Sequence, residues 1–330
     1  MEQPYAPDVR ERETSDDGFA RGWGAHFQPS ERYWIDCHTH MREDEAGAIT
    51  DFIDTWTDRL DAWRLRRTVS LDGSPENADE FGTAARENDR FLWLAWPRYD
   101  EPNLDGLETC LEAGASGMKL HNAPLIRDAA DPTIWNSEAW DQLFERLAAA
   151  DLPVLWHVTQ RLTDSPYTGG NRNSYWKEGW ENGAEFTNED LLQVFLSVVA
   201  DHPETNFIGA HQLHLGFDRL HELLRTHSNL YIDTSIGCFV RWGDDMYPED
   251  RERAREFFME WSDRICFGTD CVLGQEAVGE HTYQQFLGHV RYIHQLNLRN
   301  EALQNVSHRN IERLMGLETL PVPRKGALRP

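Results

Sequence analysis

Two histidines separated by one residue, His38 and His40, end the segment Tyr33–Met41, which starts apolar and suits an extended chain. Side chains alternate faces along a strand, so both imidazoles project from one face about 6.5 Å apart. Such a pair can share one ion. Alone, it equally describes one core histidine beside one exposed one. What changes its meaning is recurrence, because residues of metal-site type return at the ends of later extended runs, at Lys119, His157, His211 and Asp270.

Those residues need a scaffold that gathers them. After Tyr33–Met41, short β-type runs fall at Arg67–Leu71, Phe91–Trp96, Ser116–His121, Pro153–His157, Asn206–His211, Leu230–Thr234 and Ile265–Asp270. Helical patterns sit between them, as at Trp135–Ala150, Asn188–Ala200, Asp218–Thr226 and Pro248–Trp261, with acidic or Asn starts that suit helix N-termini. Eight strands alternating with helices predict a (β/α)8 barrel of the α/β class, whose sites form at the C-terminal strand ends. Each candidate residue stands at the downstream end of its strand, so the barrel converges positions more than two hundred residues apart.

The boundaries follow. Residues 1–32 are polar and irregular and read as an N-terminal arm packed on the body or on a partner subunit, which leaves a homodimer open. Residues 33–317 form the barrel and 318–330 a C-terminal tail. The gap Thr159–Phe186 is long, carries Gly169, Gly170, Arg172, Tyr175, Trp176 and Lys177, and reads as a functional loop over the barrel mouth. The stretch after the seventh strand, with Phe239, Arg241 and Trp242, is a second wall.

The chain has 330 residues, with 57 acidic against 32 basic ones and a formal charge of -25. That balance excludes a nucleic-acid backbone or an anionic membrane surface as the expected partner. Only Lys119, Lys177 and Lys325 are lysines, and scarce lysine with excess carboxylate fits a salt-adapted surface as well as an ordinary acidic protein. The five cysteines show no Cys-x-x-Cys spacing, which suits a reducing compartment. No leader pattern opens the chain and no apolar run approaches a membrane span, so a soluble cytoplasmic protein is expected.

Asp36-Cys37-His38-Thr39-His40, Gly117-Met118-Lys119-Leu120-His121, His157, Gly209-Ala210-His211 and Phe267-Gly268-Thr269-Asp270 occur in an order that resembles the amidohydrolase superfamily. The ending Asn310–Leu317 is similar to the Asn-x-x-Arg-Leu-x-Gly-Leu of its amidohydrolase-related branch, which includes aminocarboxymuconate-semialdehyde decarboxylase. The resemblance spans residues 34–317. It implies that His38, His40, His157 and Asp270 hold one divalent metal, and that His211 stands beside the water. Nitrogen donors with one carboxylate suit zinc, and Mn, Fe, Co or Ni can take the same set. Coordinated water then ionises near pH ~7, with Asp270 and His211 available as proton acceptors.

Lys119 has two readings. In binuclear members a lysine at this strand is carboxylated and bridges two ions, whereas in the branch resembled here it stays free to meet an anionic substrate, which is the reading adopted. Arg172 and Arg241 are the other candidate anion contacts. The implied activity is hydrolysis of a small carboxylate, lactone or amide. Its alternative is non-oxidative decarboxylation of a small unsaturated or aromatic acid. A barrel that binds ligand without turnover is the rival from another class, and a missing ligand would mark it; none of the expected ones is missing.

Overall fold

The computed structural model describes residues 33–160, 175–237, 240, 248–274 and 279–320. The expected N-terminal arm, Arg172, Phe239, Arg241, Trp242 and most of the C-terminal tail lie outside them. The first half of the chain alternates β1 (Trp34–Met41), α1 (Ala46–Arg59), β2 (Leu65–Gly73), α2 (Ala78–Glu87), β3 (Phe91–Ala95), α3 (Leu104–Glu112), β4 (Met118–His121), α4 (Ala123–Arg127), α5 (Glu138–Ala149) and β5 (Val154–His157). Then come α6 (Tyr175–Glu181), α7 (Asn188–Asp201), β6 (Phe207–Gly209), α8 (Phe217–Thr226), β7 (Leu230–Asp233), α9 (Pro248–Glu260), β8 (Ile265–Cys266), β9 (Cys271–Leu273) and α10 (Glu280–Gln295). Two short helices, α11 (Asn300–Gln304) and α12 (Asn310–Leu314), end the described chain.

All strand pairs are parallel, in the order β8-β7-β6-β5-β4-β3-β2-β1-β9. The expected eighth strand, Ile265–Asp270, is a strand broken in two. Its first part pairs with β7 and its second with β1. Between them the Cys37 amide donates to the Phe267 carbonyl at 2.9 Å and the Asp270 amide to the His38 carbonyl at 2.7 Å, so this one segment closes the (β/α)8 barrel. The break leaves Asp270 with φ 59° at the mouth.

Parallel barrel strands are buried on both faces, and the apolar residues sort accordingly. Ile35, Cys37, Val69, Leu71, Leu94, Leu155, Ile208 and Cys266 fill the interior with Tyr33, Ile311 and Leu314. Trp93, Met118, Leu120, Trp156, Phe207 and Ile232 face outward under the helices. The helices cover this outer layer because their sequences are one-sided. In α7, Leu191, Leu192, Phe195, Val198 and Val199 are buried. Its start is fixed by a capping box between Thr187 and Asp190. The long gap after β5 is not simple loop throughout, since Trp176 and Trp180, four residues apart, belong to α6.

Two bulges set the direction of site residues. The β1–β2 register slips between Asp36 and Thr39, so Cys37 lies in the interior layer while His38 and His40 also turn to the barrel mouth. A second slip, between Ser70 and Gly73, follows inward Leu71 with a mouth-facing Asp72. Glycine is required at 73, because a Cβ there would lie 2.0 Å from Trp93 Cε3.

Candidate metal centre

His38 and His40 turn their Nε2 atoms towards one carboxylate oxygen, each 3.3 Å from Asp270 Oδ1. The ligand atoms of these three residues all lie within 4.8 Å of one another, a spacing that accommodates one ion. His38 Nε2 is buried with no hydrogen-bond partner among the described residues, and it faces the space between the ligands. Such an atom is costly unless something occupies its lone pair.

Each imidazole is braced from behind. His38 Nδ1 meets Asp233 Oδ2 at 2.6 Å and His40 Nδ1 meets Asp72 Oδ1 at 2.9 Å. A carboxylate that takes the Nδ1 proton leaves Nε2 as the basic nitrogen, which is how metal-ligating histidines are oriented. Burial disfavours charge on both rings, but the neighbouring carboxylates outweigh it, raising His38 above its ordinary value and His40 to about 9. Asp270 is also penalised by burial, yet the two rings hold it well below the carboxylate range. With both rings neutral, as ligands to an ion must be, Asp72, Asp233 and Asp270 against the Lys119 ammonium leave two negative charges around them, the charge a divalent cation offsets. The residues present therefore fit such an ion.

His157 stands outside the trio. Its ring lies 4.3 Å from that of His211 and 4.4 Å from that of His121, and its Nε2 is buried without a hydrogen-bond partner among the described residues. Burial first, then the neighbouring His211, His121 and Lys119, push its pKa well down, so it is a neutral imidazole.

His211 departs from expectation in backbone rather than position. Strand β6 ends at Gly209, and His211, Gln212, Leu213 and His214 all have φ between 50° and 56°. Four successive non-glycine residues in the left-handed region are uncommon and cost roughly 1–2 kcal/mol each. The turn is held by buried bonds. Gln212 Nε2 donates to the carbonyls of Asp233 and Ser235 at 3.0 and 2.5 Å, and the Thr159 hydroxyl donates to the Leu213 carbonyl at 2.6 Å. The His211 amide donates to Asp233 Oδ1 at 2.8 Å. His211 Nδ1 donates to the Ile236 carbonyl at 2.8 Å, which leaves Nε2 as the acceptor, with the ring centre 5.0 Å from that of His38.

Lys119 is fully buried, so it is no surface lysine, and its Nζ has no hydrogen-bond partner among the described residues. Burial lowers its pKa to about 8, against the pull of Asp270, Asp233 and Asp72. Asp36, also fully buried, accepts from the Thr269 amide and hydroxyl at 3.0 and 2.6 Å and so ties the broken strand to β1 next to Asp270. Arg172 and Arg241 lie outside the described residues. Nothing in the spacing singles out Asp72 or Asp233, although both stand at strand ends and the rule that found the other residues applies to them equally.

A family model, Amidohydro_2, described as Amidohydrolase, matches residues 35–317. Among solved structures, a probable 2-pyrone-4,6-dicarboxylic acid hydrolase from Acinetobacter baumannii with citric acid bound is 12% identical, with a TM-score of 0.55 over 86% of this chain and 99% of that one. An amidohydrolase from Burkholderia multivorans with bound zinc is 13% identical, with a TM-score of 0.54 over 87% of this chain and 100% of that one. A dihydroxybenzoic acid decarboxylase from Polaromonas sp. JS666, with bound manganese and the inhibitor 2-nitroresorcinol, is 15% identical, with a TM-score of 0.54 over 88% and 98%. At these identities the likeness is one of fold. No curated protein sequence matches the chain. No helix among the described residues is long and apolar enough to cross a membrane.

Proposed function

The chain belongs to the amidohydrolase family, and we propose that it is a metal-dependent hydrolase acting on a small anionic carboxylate, lactone or amide. The observation that carries this reading is the approach of two carboxylate-braced Nε2 atoms to one Asp270 oxygen. His38, His40 and Asp270 would hold the ion, with His157 as the further nitrogen ligand; zinc suits this donor set best, and manganese, iron, cobalt or nickel can replace it. Bound there, a divalent ion supplies Lewis acidity and lowers the pKa of water towards ~7.

The remaining work falls to the chain. Asp270 has a second carboxylate oxygen to accept a proton from the attacking water. His211, held by Ile236 with Nε2 as acceptor, orients that water, and the proton taken up by Asp270 is returned to the leaving group. Lys119, buried at the end of β4, balances the substrate's negative charge.

A panel of lactones, amides and aromatic carboxylic acids, scored for acid release against CO2 release with zinc- and manganese-loaded protein, tests the reaction. Acid release from a lactone or amide supports hydrolysis. CO2 release from an aromatic acid, with no hydrolysis, replaces it by decarboxylation at the same residues. Lys119→Met is expected to raise KM for a carboxylate substrate at least tenfold while bound metal stays near one ion per chain. Two ions per wild-type chain, lost to one in the variant, would instead make Lys119 a carboxylated bridge.

A further inference from the structure

Gln285 lies on the buried side of α10, among Phe286, Val290 and Ile293. A primary amide in such surroundings is costly unless it is hydrogen-bonded. Its Nε2 donates to the carbonyl of Thr269, the residue before Asp270, at 2.8 Å.

The need for that bond arises from the break between β8 and β9, which takes residues 267–270 out of the sheet ladder. Buried backbone groups that lose the ladder must find other partners. The Phe267 amide donates to the Val306 carbonyl at 2.9 Å, the Gly268 amide and carbonyl both bond the Thr234 hydroxyl at 3.0 Å, and the Thr269 amide donates to Asp36. For the carbonyl of fully buried Thr269, the partner among the described residues is the Gln285 side chain.

The peptide joining Thr269 to Asp270 is thereby pinned at both of its polar ends. Its oxygen accepts from Gln285, and its N–H donates to the His38 carbonyl at 2.7 Å. A peptide unit is planar, so fixing its oxygen and its hydrogen fixes the plane. Downstream, Cys271 pairs with Thr39 of β1. The chain is held on both sides of Asp270, and the torsion between them takes the value φ 59°. Aspartate visits this left-handed region without preferring it, and a disfavoured backbone persists where its surroundings over-determine it. In that conformation one carboxylate oxygen lies 3.3 Å from Nε2 of both His38 and His40. Without Gln285 the peptide is free to turn over and Asp270 to relax to a negative φ, which carries its carboxylate off the two rings.

We propose that Gln285 is a positioning residue for the candidate metal centre, holding the peptide before Asp270 in the plane that aims its carboxylate at His38 and His40. Gln285 is not itself a ligand and acts through Asp270. Its role rests on the reading of the site as a metal centre, and it gives α10, which supplies none of the proposed ligands, a share in the affinity for the ion.

Competition titration of zinc against a chromophoric chelator tests this role without turnover. Gln285→Met keeps the length of the side chain and removes the donor. It is expected to weaken zinc about tenfold or more, the usual scale for a residue that supports a ligand from behind. Ile293→Ala, about two turns further along α10, should lower the melting temperature at least as much and leave zinc affinity within about threefold of wild type. Should Gln285→Met fail to fold, Gln285→Asn, whose amide falls one methylene short of the Thr269 carbonyl, is read in the same way. Wild-type zinc affinity in the Gln285 variant overturns the proposal. So does an equal loss of affinity in Ile293→Ala, which would make the effect one of general stability. Crystal structures of wild type and Gln285→Met without metal separate this role from the proposed function. If the wild type takes up no divalent ion, the proposed function fails, and Gln285 keeps its role only where Asp270 has left the left-handed region in the variant. An unmoved Asp270 overturns that role as well.

Discussion

His40→Ala is expected to yield folded protein with little divalent metal and no measurable activity, whereas His211→Asn should keep most of its metal and lose about 10²-fold in kcat, the usual scale for a general acid or base. The difference comes from what each ring faces. His40 points Nε2 at Asp270 and is braced by Asp72, so its removal takes away a donor and leaves two carboxylates facing each other. Asp72 is partly exposed, and water can take over its bond, so the fold should survive. His211 instead accepts on Nε2 while Ile236 holds its Nδ1 proton. Elemental analysis of protein purified without chelator, together with kcat and its pH profile, reads both outcomes. Loss of one limb of the profile in His211→Asn would assign that limb to this ring. If His211→Asn loses the ion as fully as His40→Ala, His211 is a ligand, and Lys119 must be reconsidered as a bridge between two ions.

Much of this arrangement is legible in the sequence, for a physical reason. A parallel barrel buries its strands on both faces, so a polar residue within such a run is tolerated mainly at the mouth. His38, His40, Lys119, His157 and Asp270 announce themselves by that rule. Period-two alternation, however, assumes an unbroken pleat. The slips in β1 and β2 place Cys37 with His38, and Leu71 with Asp72, on one side of the sheet, and no residue pattern in either strand advertises them. The break between Cys266 and Cys271 is equally silent, since Phe267-Gly268-Thr269-Asp270 reads as the end of a strand and acts as the corner that closes the barrel.

His121 shows a different limit. Its spacing to Lys119 is plain in the sequence, but its tautomer depends on the Ala123 amide, a tertiary detail set by the turn into α4. The helix α6 was within reach of sequence reading, because Trp176 and Trp180 have helical spacing. The abundance of Gly and Asn just before them draws attention to a loop instead.

Gly237→Ala is expected to cost more activity than any other single methyl added near the site. Strand β6 would normally deliver His211 at its end, but the chain places it in a left-handed turn whose four non-glycine residues carry roughly 4–8 kcal/mol of backbone strain in all. The turn persists because its neighbours fit it closely. A Cβ at 237 would lie 2.1 Å from Gln212 Oε1 and 2.3 Å from the His211 carbonyl, and Gly237 itself has no left-handed backbone that an alanine would resist. The effect of the methyl is therefore steric, and it falls on the turn. Gln212 must move away from the Asp233 and Ser235 carbonyls, and His211 must move with it. Overpacking of this kind costs about 1–3 kcal/mol of stability, so the melting temperature should fall by several degrees without loss of the fold. A displacement near 1 Å is enough to cost about 10²-fold in rate. Zinc should remain, since His38 and His40 lie on β1 and Asp270 in the break between β8 and β9. A Gly237→Ala protein with wild-type kcat would mean that the left-handed turn tolerates displacement and that the placement of His211 does not limit the reaction.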